Sequence, residues 1–350
     1  KGGNINGGGN PAQNLLYHNL GYSVSLNNDG NTVAIGAPGG GYVKIYNWDG
    51  ISWNQLGSSI IFSGSWDREF GHSVSISSDG FTVAVGAPEG DGNGNNSGFV
   101  RVYNFDGNSW IQLGNDIDGE AASNYSGHSV SISSDGSRVS IGAYNNTGNF
   151  STSGHVRVYD WNGSFWVQLG QDIDGEGSGD GCGYSVSLSS DGNTVAIGAP
   201  YNSGNAGHVR IYSYNGSSWN QIGNDIDGNA LAGAPVPDQL GQAVSLSSDG
   251  NTVAIGAMQG SWLLPGYSSV YKNIAGNWVQ QSQDIAGEEN DDQSYRVSIS
   301  GDGSILAVGA INNDGNLPNS GHVRLFQLIS DSCNFNIIQN DSSICSGDVI

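Results

Sequence analysis

The chain repeats one phrase six times. "GYSVSLNNDGNTVAIGAP" starts at Gly21, "GHSVSISSDGFTVAVGAP" at Gly71, "GHSVSISSDGSRVSIGA" at Gly127, "GYSVSLSSDGNTVAIGAP" at Gly183, "GQAVSLSSDGNTVAIGA" at Gly241 and "SYRVSISGDGSILAVGA" at Ser294. Successive starts are 50, 56, 56, 58 and 53 residues apart. Self-similarity at such a period overrides the expectation of two ordinary domains that 350 residues would otherwise carry, and points to one array of like units. Gly is abundant, 57 of 350, and Asn, Ser and Asp are frequent, which suits short strands joined by turns. No stretch shows convincing helical periodicity.

Each unit reads as four strands, and the second shows them best. In "HSVSI", Val74 and Ile76 alternate with Ser73 and Ser75, the period of a half-buried strand. "SSDG" follows as a hairpin turn, because Gly tolerates positive φ and Asp bonds the local backbone. "TVAVGA" is the second strand, its small residues suited to a crowded inner position. "FVRVYNF" and "SWIQLGNDI" complete the sheet. One such sheet cannot bury both faces alone, so copies stack, and stacked radially they form an all-β, six-bladed β-propeller of four-stranded antiparallel blades. Trp53, Trp110, Trp166, Trp219 and Trp278 recur in the fourth strand and read as wedges between blades.

The sixth unit lacks the "W-x-Q-L-G" strand. "KGGNING" at 1–7 aligns with "LGNDIDG" at 113–119, placing Ile5 on Ile117, so the N-terminal strand is expected to pair with the last blade and close the ring. A further upstream unit would make seven blades. The propeller is assigned to 1–328, and 329–350 to a linker or the start of a following domain, with Cys333 and Cys345 close enough to bridge and Cys182 left over. A start at Lys1, without Met, reads as a processed or excised piece.

Ten Lys plus Arg against 32 Asp plus Glu leave a formal charge of −22, which repels a phosphate backbone and an anionic lipid surface. Nucleic acid and membrane insertion are therefore excluded as expected partners, and no apolar run approaches the roughly 18 residues of a spanning helix. The same acidity offers oxygen ligands to hard cations, calcium among them, or serves solubility alone.

With Phe70-Gly71 opening the phrase and Gly86-Ala87-Pro88 closing it, the unit resembles the FG-GAP repeat of the integrin alpha-subunit propeller over roughly residues 1–328. The order "DIDGE", "GHSVS", "GHVRVY", "W-x-Q-L-G" is similar to that of bacterial secreted and cell-surface proteins. The resemblance implies an extracellular propeller used for adhesion or ligand binding, commonly with calcium. One departure matters: the integrin-like repeats carry a D-x-D-x-D-G calcium loop where this chain has "SSDG", with one carboxylate per unit (Asp29, Asp79, Asp135, Asp191, Asp249, Asp302), which reads as a turn former.

Calcium has a second candidate in the acidic runs between units, Asp116, Asp118 and Glu120, then Asp172, Asp174 and Glu176, then Asp225 and Asp227. The alternative is that these carboxylates pair with the basic residue of the third strand, Lys44, Arg101, Arg157, Arg210 or Arg324, which make up half of the chain's ten cations. Asp91, Asn93 and Asn95 form a further loop of oxygen donors. Histidines follow the repeat, His72 and His128 in one register and His155, His208 and His322 in another, so they belong to the blade and no enzyme is expected.

Function is then sought where the units differ. "GSWLLPGYSS" at 260–269 carries Trp262, Leu263, Leu264 and Tyr267 as candidate partner-binding residues, or as a loop folded back on the ring, and 230–239 and 287–294 also leave the pattern. The expected role is a non-catalytic, secreted or cell-surface binding or adhesion module recognising a glycan or a cell-surface protein. The alternatives are a self-assembling structural subunit of an extracellular filament or surface layer, and a polysaccharide-acting propeller enzyme.

Overall fold

In a computed structural model, residue 5, residues 18–62, 69–229, 237–259, 264–289, 292–313 and 321–328, and the strands Phe335–Ile337 and Ser342–Ser343 are described. The fold is an all-β, six-bladed β-propeller, and the only helical segments among the described residues are the 3-10 turn Pro38–Gly40 and the single turn Asn202–Asn205. The chain divides into two compact units, Lys1–Asp174 and Gly175–Ile350, with three blades in each.

Within a blade the strands follow one another as an antiparallel meander, and the outermost is broken in two. In the third blade, Ser129–Ile132 pairs with Arg138–Ala143, which pairs with His155–Trp161. The far edge of His155–Trp161 is then shared: Trp166–Gln168 covers its second half and Ile173–Asp174 its first two residues. The break between these pieces turns the acidic run toward the start of the third strand, which sets up the candidate site.

The expected turn is present. In the second blade, Ser77 Oγ donates to Asp79 Oδ1 at 2.5 Å, and Asp79 Oδ1 also accepts the N–H of Phe81 at 2.9 Å. The Ser77 hydroxyl in turn accepts the N–H of Thr82 at 2.9 Å. The second strand is buried throughout because blades meet there. A Cβ on Gly86 would collide with the carbonyl oxygen of Gly127 in the next blade, so only glycine lets the two backbones approach. Neighbouring blades are also laced by polar bonds. Ser75 Oγ accepts the N–H of Ile132 at 3.0 Å, Ser187 Oγ that of Leu246 at 2.9 Å, and Ser245 Oγ that of Ile299 at 3.0 Å.

The apolar core lies between blades. Val43 and Ile45 of the first pack with Val74, Ile76, Val83 and Val85 of the second, and Val209 and Ile211 of the fourth with Val244, Leu246 and Val253 of the fifth. Three of the five tryptophans act as expected: Trp110 Nε1 donates to Leu56 O at 2.8 Å, Trp166 Nε1 to Leu113 O at 3.0 Å and Trp278 Nε1 to Ile222 O at 2.9 Å, each reaching into the preceding blade.

The completion of the sixth blade differs from expectation. Its third strand, His322–Leu328, pairs with Phe335–Ile337 and with Ser342–Ser343, in the same divided pattern as the other blades. The outer position is therefore filled by Phe335–Ile337 and Ser342–Ser343, from the segment assigned to a linker, where the N-terminal strand was expected. These strands lack the Trp and Leu by which the other outer strands were recognised, while their register matches: Val323 pairs with Ser342 as Val156 pairs with Ile173. Residues 1–4 and 6–17, Cys333 and Cys345 lie outside the described residues.

Candidate functional site

The acidic runs are divided between two blades. In two of them the first aspartate turns back to the arginine of its own blade: Arg101 donates to Asp116 through Nε and Nη2, both at 2.8 Å, and Arg157 to Asp172 through the same atoms at 3.1 and 3.2 Å. A glutamine four residues earlier holds the same carboxylate, Gln112 on Asp116 at 2.8 Å, Gln168 on Asp172 at 2.6 Å and Gln221 on Asp225 at 2.6 Å. The glutamate reaches forward to the next blade instead. Arg157 Nη2 meets Glu120 Oε1, Arg210 Nη1 lies 3.2 Å from Glu176, and Arg324 Nη1 lies 3.5 Å from Glu288. The pairing of these carboxylates with the third-strand cations is thus realised, and Arg157 is met by carboxylates from two directions, Asp172 of its own blade and Glu120 of the preceding junction.

The third strand opens with the histidine that the repeat places two residues before this arginine. Its side chain is buried at the point where the two carboxylates converge. His155 Nδ1 lies 3.6 Å from Asp172 Oδ2 and 3.9 Å from Glu120 Oε2. His208 Nδ1 lies 3.6 Å from Asp225 Oδ2, and His322 Nδ1 lies 3.7 Å from Glu288 Oε2. Two trios, Glu120–His155–Asp172 and Glu176–His208–Asp225, each bring three ligand atoms within 4.8 Å of one another. Burial pushes the His155 imidazole below its usual range against the pull of Asp172 and Asp174, and burial with the charge of Arg210 does the same to His208, so both are neutral at neutral pH. Burial works to raise Asp172, but hydrogen bonds from Arg157 and Gln168 prevail and hold it below the usual carboxylate range.

The eight acidic candidates therefore have different places. Glu120 and Asp172 meet in one trio and Glu176 and Asp225 in the other. Asp116 is held by Arg101, and Asp118 lies on the short outer strand, where burial and the neighbouring charge of Asp116 push it up. Asp174 accepts Asn149 Nδ2 at 2.8 Å, and Asp227 pairs in register with His208. The carboxylates of one acidic run do not gather into one oxygen cage. The single Asp of each tight turn is taken up by that turn's own donors and does not reproduce the calcium loop of the integrin-like repeats.

One set of positioning residues is easily passed over in the sequence. Asp180 Oδ2 accepts the N–H groups of Glu176 and Gly177 at 3.0 and 2.6 Å, Asp292 Oδ2 those of Glu288 and Glu289 at 2.7 and 2.9 Å, and Asn124 Oδ1 that of Ala121 at 2.9 Å. All three are buried, and each lies four residues after the glutamate whose loop it shapes. That Glu-x-x-x-Asn/Asp spacing was the available signal, obscured because the residues between vary.

Of the candidate partner residues, Trp262 and Leu263 lie outside the described residues and Leu264 is half-buried. Tyr267 is buried at the head of the fifth blade's third strand, its hydroxyl donating to Asp238 Oδ2 at 2.8 Å. Asp91 Oδ1 accepts the N–H of Asn96 at 3.0 Å and Asn93 Nδ2 donates to Gly119 O at 2.9 Å, so that loop is tied to its own blade.

Residues 64–103 match the FG-GAP repeat, and the class that the fold defines is a six-bladed β-propeller. No curated protein sequence matches the chain. Among solved structures it is similar to a putative 6-phosphogluconolactonase from Bacteroides uniformis, with a TM-score of 0.64, 11% identity, and 93% of this chain and 86% of that one covered. It is also similar to hydrazine synthase from Kuenenia stuttgartiensis, with a TM-score of 0.59, 14% identity, and 91% and 80% covered. The β-propeller domain of Cps50 (Swd1) from Myceliophteria thermophila matches with a TM-score of 0.53 at 9% identity, with 83% and 80% covered. At these identities the likeness is one of fold alone. No helix among the described residues is long and apolar enough to cross a membrane.

Proposed function

We propose that the chain is a non-catalytic binding or adhesion module that acts outside the cell and recognises a glycan or a cell-surface protein. The observation that carries this reading is the recurrence of the reactive groups. His155, His208 and His322 occupy the same strand position in three blades, each facing a carboxylate from a blade junction. Catalysis needs one constellation with a unique geometry, and a group present in several blades serves the blade. The acidic, lysine-poor composition and the FG-GAP repeat support an extracellular setting. The ligand face is assigned to the loops that leave the repeat, 230–239, 260–269 and 287–294. A glycan and protein array, run with calcium and then with a chelator, tests the reading. Saturable binding to one ligand class is expected, and the release of cleaved products from a polysaccharide would overturn it.

A second reading, a structural subunit of an extracellular assembly, is favoured by the first blade. Val24 and Leu26 are 56% and 57% exposed, whereas their counterparts Val74 and Ile76 are buried under a neighbouring blade. An apolar sheet face of this kind suits association with another copy. Light scattering at micromolar concentration decides it: a monomer removes this reading.

A further inference from the structure

We propose that Glu120, His155 and Asp172 form a binding site for a divalent cation of the zinc class, with Glu176, His208 and Asp225 as its repeat in the following blade. The first observation is convergence: imidazole and carboxylate atoms from three separate segments lie within 4.8 Å of one another in each trio. The second is independent of the acidic cluster. The His155 side chain is 4% exposed, and its Nδ1 has no hydrogen-bond partner although it faces two carboxylate oxygens at 3.6 and 3.9 Å. Those separations are too long for hydrogen bonds. They suit groups arranged about a central ion, since ligand atoms about 2.0 Å from a tetrahedral zinc are separated by roughly 3.3 Å, a contraction of a few tenths of an ångström.

Charge balance agrees. Glu120 and Asp172 both meet the guanidinium of Arg157, and Asp174 is paired in register with His155. Three carboxylates and one arginine leave two negative charges, which one divalent cation offsets. Arg157 and Asn146 hold Glu120 from the side, with Asn146 Nδ2 donating to Glu120 Oε2 at 3.1 Å, an outer layer that fixes a ligand's orientation. The imidazole decides the class of metal. Calcium and magnesium take oxygen ligands, while a mixed nitrogen and carboxylate set suits zinc and its neighbours.

The test is titration of metal-free protein with Zn2+, with Ca2+ and Mg2+ as comparators, followed by calorimetry. Two equivalents of Zn2+ are expected to bind at least tenfold more tightly than either comparator. His155→Gln should remove one equivalent and His208→Gln the other, with near-ultraviolet circular dichroism confirming that each variant is folded. Cobalt(II) added to the parent protein gives a reading that needs no variant: absorption between about 500 and 700 nm at the intensity of four-coordinate nitrogen and oxygen sites. A faint aquo-type cobalt spectrum, zinc binding no tighter than calcium, or two equivalents retained in folded His155→Gln would each overturn the proposal.

Discussion

Arg101 grips Asp116 through two parallel hydrogen bonds, Nε to Oδ1 and Nη2 to Oδ2, each 2.8 Å long. The guanidinium also lies 4.9 Å from the centre of the Phe99 ring and 5.2 Å from that of Phe62, so aromatic carbon packs beside it. The planar fork satisfies the carboxylate and the rings together, which an ammonium cannot do. Both side chains are mostly shielded, 20% and 30% exposed, so the pair is worth more than a surface ion pair.

Arg101→Ala should therefore destabilise the protein by about 2 kcal/mol, because it leaves the Asp116 carboxylate with its glutamine alone. Arg101→Lys should recover less than half of that, since the bidentate geometry is lost. Urea denaturation of the three proteins measures the difference, and a lysine variant as stable as the parent would show that charge alone suffices.

Arg101 and Asp116 also show what the sequence makes legible. A cation once per unit and an aspartate once per junction are visible as repeats, and their pairing follows from the scarcity of cations in an acidic chain. The hairpins are readable for the same reason: "SVSISSDGFTVAVGA" holds its strand period and its turn residues within fifteen positions. Glu120 was harder. It stands in the same run as Asp116 but crosses to Arg157, a choice made by the break in the outer strand and by Asn124 at the loop, not by local pattern. His155 was visible as a repeated residue, yet its convergence with Glu120 and Asp172 depends on segments 35 and 17 residues away in sequence. The last outer strands, Phe335–Ile337 and Ser342–Ser343, were missed because their composition departs from the repeat while their register does not.

Gly86→Ala should be among the most damaging single changes in the chain. The added carbon meets the Gly127 carbonyl, a backbone atom of the next blade that cannot swing aside, so a cost above about 2 kcal/mol is expected. Gly163→Ala is the control. That glycine has φ +93° with nothing within 4 Å of the added atom, so only the backbone preference is lost, about 1 kcal/mol. Equal costs in chemical denaturation would refute close approach as the reason for the conserved register of Gly86 between blades.

Trp166→Phe keeps most of the buried ring and removes one donor, the Nε1–H that bonds Leu113 O at 3.0 Å. A loss of about 1 kcal/mol is expected. Trp110→Phe, which removes the 2.8 Å bond to Leu56 O, should cost a similar amount. A neutral result for both would mean that water replaces the indole at these junctions.

Stability should also fall in acid through the tight turns. In the third blade, Ser133 Oγ donates to Asp135 at 2.7 Å and the N–H of Ser137 at 2.9 Å, and these bonds outweigh burial to keep the carboxyl below its usual range. Asp249 is lowered in the same way by Ser247 and Asn251. Asp302, held by the hydroxyls of Ser300 and Ser304 and the N–H of Ser304, is brought down to about 2. A carboxyl that ionises more readily in the folded chain favours folding fully above its unfolded value, near 4, and the benefit is lost as pH falls through the lower folded value. The urea midpoint should thus hold steady from pH 6 to about 4.5 on account of these groups and then drop steadily toward pH 2. Replacing all three with Asn preserves the turn's acceptor oxygen and removes the titration, so the triple variant should show a shallower decline below pH 4. The same slope in parent and variant would place the acid sensitivity elsewhere.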